Sequence, residues 1–269
     1  MRVAVVFSGL LRGSWENNIN DHKKIFPDAD FYFHTWEQYK DDYPKLDLIT
    51  SKEPDPQFNA YENETFLNLR RFREKNFTDT FMSTQQRRVI QFIAHADALT
   101  KIPLEYDVIV RARYDVVVFP ALKKKYHYYL KQCFEKQRSV GFSYNAFNPD
   151  RNVRAFNGVE YPDLDKLHLI NKKRLRHTSY EGRHAIPDYM IFHPHRHCDP
   201  YEIYSLYKDE LLFSSEPGWW QVLCYKKRNP ISVHGGALVE RFLEDPRMFR
   251  KLTDAQRERY QKFYGDVKS

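Results

Sequence analysis

The chain has 269 residues, 42% hydrophobic and 29% charged, which suits a folded globular protein and excludes a disordered or fibrous one. Its formal net charge of +7 favours anionic partners: nucleotides, nucleic acid or an acidic membrane surface. Three scattered cysteines, Cys133, Cys198 and Cys224, form no CxxC pair, which argues against a disulfide framework or a zinc finger and for a reducing compartment.

Val3 to Phe7 is an apolar run of strand type, expected to open a central sheet. It is too short for a signal-peptide core, and no run approaches the roughly eighteen apolar residues of a membrane span. A soluble, cytoplasmic protein is therefore expected. Ser8-Gly9-Leu10-Leu11-Arg12-Gly13 follows as a strand-to-helix turn, then a helix over 15–25 and a second strand over 30–36. Strand, turn, helix, strand is the opening of a nucleotide-binding α/β fold.

Residues 37–62 show no clear period and read as a loop-rich crossing; 64–76 read as a charged helix, and 84–100 as a better one. A strand over 107–110, a basic helix over 123–136 and a short strand over 139–142 come next. Residues 145–185 are irregular, with four cations between Lys172 and Arg176, and look acceptor-facing. Then follow an apolar stretch over 186–192, a helix over 201–212, another opening at Glu216, a strand over 231–234, and a helical tail from Val239. The fold class expected is α/β, with a mixed, mostly parallel sheet flanked by helices, in one domain over 1–269. Residues 1–120 would form its donor-binding half, 121–238 its acceptor-binding half and 239–269 its C-terminal tail.

The segment most informative about chemistry is 106–115, where Val108, Ile109 and Val110 are followed closely by Arg111, Arg113 and Asp115. Open α/β sheets bind ligands at the carboxyl ends of their strands. Two guanidiniums and a carboxylate there suit a polyphosphate and a metal ion, with an ordinary Arg–Asp pair as the alternative. His193-Pro194-His195-Arg196-His197-Cys198 holds zinc-type ligands. No second ligand pair stands nearby in sequence, and a loop accounts for the run equally well.

Three ordered motifs, Ser8-Gly9-Leu10-Leu11-Arg12, His34-Thr35-Trp36 and Arg111-Ala112-Arg113-Tyr114-Asp115, resemble those of a group of bacterial and viral glycosyltransferases. The resemblance extends over about residues 1–225 and includes Ile186-Pro187-Asp188 and Ser215-Glu216. It implies a GT-A-like fold, a nucleotide-diphospho-sugar donor such as a UDP-sugar, and a cytoplasmic site of action, in the host if the chain is viral. Many GT-A enzymes carry Asp-x-Asp to hold a divalent cation, Mn²⁺ or Mg²⁺; here Arg113 stands at the first acid.

The resemblance implies donor binding by Ser8, Gly9, Arg12, His34, Thr35, Trp36, Arg111 and Arg113, and metal ligation by Asp115 and His234. Trp36 offers a ring for a base, or core packing. Asp188, in an apolar setting that raises a carboxylate's pKa, and Glu216 are the candidate general bases, and Asp115 is a third catalytic candidate. Trp219, Trp220, Lys172, Lys173 and Arg174 are the candidate acceptor surface. The acceptor is a hydroxyl, on hydroxymethylated cytosine in phage DNA or on a surface or lipid-linked glycan. The alternative of another class is a nucleotide- or nucleic-acid-binding module that has lost the chemistry.

Overall fold

A computed structural model describes residues 1–10, 14–42, 45–54, 90–143, 188–208, 219, 222–223, 231–234 and 237–239. A seven-stranded sheet runs through them. Its strands are β1 (Val3–Ser8), β2 (Asp30–Trp36), β3 (Leu48–Ser51), β4 (Val108–Ala112), β6 (Val140–Ser143), β7 (Met190–Pro194) and β8 (Ile231–His234). Their spatial order is β3-β2-β1-β4-β7-β6-β8, with β5 (Val116–Val118) and β9 (Ala237–Val239) paired separately. β3, β2, β1 and β4 are mutually parallel, whereas β7 is antiparallel to both β4 and β6. The sheet is thus mixed and mostly parallel, as expected from the sequence.

Both faces are covered, which is why β1 and β4 read as unbroken apolar runs. Val3, Val5 and Phe7 of β1 point into one core with Ile19 and Ile25 of α1 (Trp15–Ile25) and Tyr126, Leu130 and Cys133 of α3 (Lys123–Lys136). Ala4 and Val6 point the other way. There they meet Phe92, Ile93 and Ala96 of α2 (90–99), Ile203 and Leu206 of α4 (Pro200–Lys208), and Trp219. The two-residue period of a strand sorts alternate side chains into these two layers.

Two expectations change. The crossing over 37–62 holds a 3-10 turn at Glu37–Asp42 and the strand β3, whose Leu48-Ile49 pair adds to the edge of β2. Val239, expected to begin a helical tail, ends the strand β9, which pairs with the β-branched run of β5. The helix expected over 64–76, the irregular stretch 145–185 and the tail beyond 239 lie outside the described residues.

Candidate active site at the sheet switch point

The chain leaves β1 toward β2 and β3 on one side, and returns on the other side as β4. The crevice above the carboxyl ends of β1 and β4 is therefore a topological switch point, where open α/β sheets bind their ligands. Ser8 ends β1 there, in register with His34 of β2, while Phe7 lies opposite Ala112 of β4. β7 runs the opposite way, so its beginning comes to the same edge: Met190 lies opposite Ala112, and Asp188 just precedes it.

Gly9 has φ +116°, a conformation that side chains rarely tolerate, and a Cβ placed on it would meet none of the described residues within 4 Å. The hydroxyls of Ser8 and Thr35 are buried without a hydrogen-bond partner. Arg12 lies outside the described residues.

The charged centre is Arg113. Its Nε donates to Asp115 Oδ1 at 2.9 Å and its Nη2 to Asp115 Oδ2 at 2.8 Å, while Nη1 donates to Asp188 Oδ2 at 3.0 Å. The side chain is 20% exposed, against 9% for Asp115 and 5% for Asp188. Burial works against the guanidinium's charge, but the two carboxylates more than offset it and hold its pKa above the ordinary value.

Arg111 behaves differently. Sequence reasoning places it at the strand end, but it lies within β4, fully buried on the α2 face. Its Nη1 donates to the Asp188 carbonyl, its Nη2 donates to Gln91 Oε1 at 2.6 Å, and its guanidinium lies 4.6 Å from the Trp219 ring centre. Desolvation pulls its pKa down to about 9, partly countered by Asp188. It braces the start of β7 from beneath and offers the crevice no exposed surface, which corrects the expectation of a donor ligand.

Two tryptophans take the core position that the sequence left open. Trp36 is 2% exposed and packs edge-on to His34, with ring centres 5.1 Å apart, so it belongs to the core rather than to a stacked base. Trp219 is fully buried against Arg111, Phe92 and His95 and forms no acceptor wall. His34 is also internal. Ser51 Oγ donates to Asp97 and so accepts from His34 Nε2, 2.8 Å away. Burial lowers the His34 pKa to about 4, partly countered by Asp97, which leaves the ring neutral at pH 7.

The turn bearing Arg113 and Asp115 is pinned by residues that the sequence did not mark. Tyr114 Oη donates to the His34 carbonyl at 3.2 Å, and Asn18 Nδ2 donates to the Tyr114 carbonyl at 2.8 Å. Gln91, which receives Arg111, is a third. Asn18 and Gln91 stand in no motif, and only their contacts across 96 and 20 residues of sequence reveal them.

The acids do not fit a divalent cation as they stand. Both Asp115 oxygens and one of Asp188 accept from Arg113, so a guanidinium occupies the place between the two carboxylates. His234 ends β8, and its side chain, like Glu216, Trp220, Lys172, Lys173 and Arg174, lies outside the described residues.

No protein-family model and no curated protein matches the chain. Solved structures do. A 4-diphosphocytidyl-2C-methyl-D-erythritol synthase from Anaerococcus prevotii is 10% identical over 87% of this chain and 89% of its own, with a TM-score of 0.43. The galactosyltransferase LgtC, solved with donor and acceptor sugar analogs, is 12% identical over 86% and 73%, with a TM-score of 0.39. A glycosyltransferase involved in glycosylation of the major capsid of PBCV-1 is 13% identical over 88% and 82%, also at 0.39.

Proposed function

We propose that the chain is a glycosyltransferase of GT-A type that uses a nucleotide-diphospho-sugar, with Arg113 as the cation that meets the donor's diphosphate. One observation carries this reading: a partly exposed guanidinium, shared by two carboxylates, at the carboxyl-end crevice of the switch point. A guanidinium fork matches phosphate oxygens as well as it matches carboxylates. Gly9 lets the backbone after β1 come close to a ligand.

In this reading, donor binding draws Arg113 from Asp188 toward the diphosphate. The bond from the anomeric carbon to the phosphate oxygen breaks, and Arg113, with Arg12, stabilises the charge gathering on the leaving group. Asp188, released from its ion pair, accepts the proton of the acceptor hydroxyl as that oxygen bonds to the anomeric carbon. Asp115 keeps Arg113 oriented through the exchange. Glu216 is the competing base. No step uses a divalent ion, because Arg113 already supplies the charge between the acids.

The net charge of +7 favours an acceptor hydroxyl on an anionic polymer, with hydroxymethylated cytosine in duplex DNA ahead of a surface or lipid-linked glycan. The test incubates the protein with a panel of nucleotide sugars, without added Mg²⁺ or Mn²⁺, and follows nucleotide release and the masses of hydroxymethylated duplex DNA and oligosaccharides. Nucleotide release with a sugar-sized gain on DNA supports the whole reading. A gain on oligosaccharides keeps the transferase and discards the DNA acceptor. Donor binding without turnover, with or without the added cations, points to a binding module instead. Turnover only with Mg²⁺ or Mn²⁺ sinks the role given to Arg113.

A further inference from the structure

On the sheet face opposite α1 and α3, three ligand-type side chains converge from three separate elements. His95 comes from α2, His193 from β7 and Cys198 from the turn that follows a 3-10 turn at His195–His197. Their donor atoms all lie within 4.8 Å of one another, and all three residues are buried. His95 Nε2 and His193 Nε2 face each other at 3.1 Å.

We propose that His95, His193 and Cys198 form a zinc-type metal site, distinct from the sugar-transfer centre proposed above. Two imidazole nitrogens and a thiolate are the ligand chemistry that borderline-soft Zn²⁺ selects. In tetrahedral geometry two ligating nitrogens stand about 3.3 Å apart, and a nitrogen and a sulfur about 3.6 Å apart. The histidines, at 3.1 Å, already meet the first spacing. Closing the whole set from its 4.8 Å limit takes a shift of about an ångström, within reach of a cysteine side-chain rotation.

The outer contacts agree. His193 Nδ1 donates to the Pro194 carbonyl at 3.1 Å, which fixes the proton there and leaves the Nε2 lone pair aimed at the cluster. A backbone carbonyl holding the far nitrogen is the usual support of a metal-bound imidazole. Without an ion, two buried imidazoles share one hydrogen bond, and His95 Nδ1 has no partner.

The sequence showed two of the three ligands of this site. His193 and Cys198 lie in the His-rich run, but the third ligand, His95, comes from a helix 98 residues away from His193. Cys198 also lines a cavity of about 810 Å³ with Ile102, Tyr106, Phe134, His195 and Tyr201. The site ties α2 to β7. Through Trp219, which packs edge-on to His95 at 5.5 Å and under Arg111 at 4.6 Å, it also steadies the brace beneath Asp188.

The test is elemental analysis of protein purified without chelators, followed by exchange of the bound metal for Co²⁺. The expected result is about one zinc per chain, and a Co²⁺ form with tetrahedral visible bands and a thiolate-to-cobalt charge-transfer band. Cys198→Ser should remove the charge-transfer band, and His193→Gln should weaken Co²⁺ binding by roughly tenfold or more. If a variant does not fold, the wild-type Co²⁺ spectrum decides alone. Absence of zinc together with absence of a thiolate–cobalt band in the wild-type protein overturns the proposal. Nucleotide-sugar turnover enters none of these readouts, so this site and the transferase reading stand or fall separately.

Discussion

At the scale of single residues, the chemistry turns on Arg113. Replacing it by lysine keeps one positive charge but loses the fork that holds Asp115 at two points and Asp188 at a third. Arg113→Lys is expected to lower donor turnover by about 100-fold, measured as nucleotide release. Arg113→Ala removes the guanidinium that two nearly buried carboxylates share and should cost about 3–5 kcal/mol of stability in urea unfolding. Asp188→Asn tests the base: transfer falls by about 10³-fold, while donor affinity stays within roughly threefold by calorimetry. Gly9→Ala meets no neighbour among the described residues, yet forces a methyl group into a left-handed backbone, so a loss of about 1 kcal/mol is expected from strain alone. The charged trio was legible in the sequence because Arg113, Asp115 and Asp188 bracket strand ends. The inward turn of Arg111 was not, since one residue of register decides which face of β4 it occupies.

At the scale of elements, α1, β2 and α3 stand where their periodicities put them, each carrying a strong apolar pattern between turn residues. β3, β5 and β9 did not stand out: β3 lies in a stretch without clear period, β5 directly follows the charged turn, and each exists because a neighbour supplies the ladder. The second core layer depends on Trp219, which touches Phe92, His95 and Arg111 at once. Trp219→Ala should destabilise by about 3–5 kcal/mol, read as a lower urea midpoint, because it leaves a cavity and uncovers a buried guanidinium. Trp219→Phe should recover most of this loss.

At the scale of the whole molecule, two enclosed histidines contribute to the response to acid. Burial lowers the pKa of His22 and of His34 to about 4, against 6.5 for the free side chain. The unfolded chain therefore binds protons between pH 6.5 and 4 that the folded chain refuses. Stability is full above pH 6.5, declines as pH falls through that window, and levels off below pH 4 as far as these two groups are concerned. The loss is on the order of 3 kcal/mol for each. Urea midpoints across the window, paired with proton uptake on unfolding, measure it; a flat profile would show that these rings are solvated. The sequence shows eleven histidines but not which of them are enclosed, since enclosure depends on layers assembled from distant segments.

The position of β7 between β4 and β6 also has a consequence in time. As the chain emerges from synthesis, β1, β2, β3 and β4 can pair with one another, yet the flank of β4 stays uncovered until residues 190–194 arrive. An unpaired, β-branched flank is adhesive, and pairings across long stretches of chain form slowly. A nascent chain halted before residue 188 would present Arg113 with one of its two acids and a raw strand edge beside it. Such a fragment should aggregate rather than bind donor, so the order of synthesis keeps the crevice unfinished until the molecule can close around it.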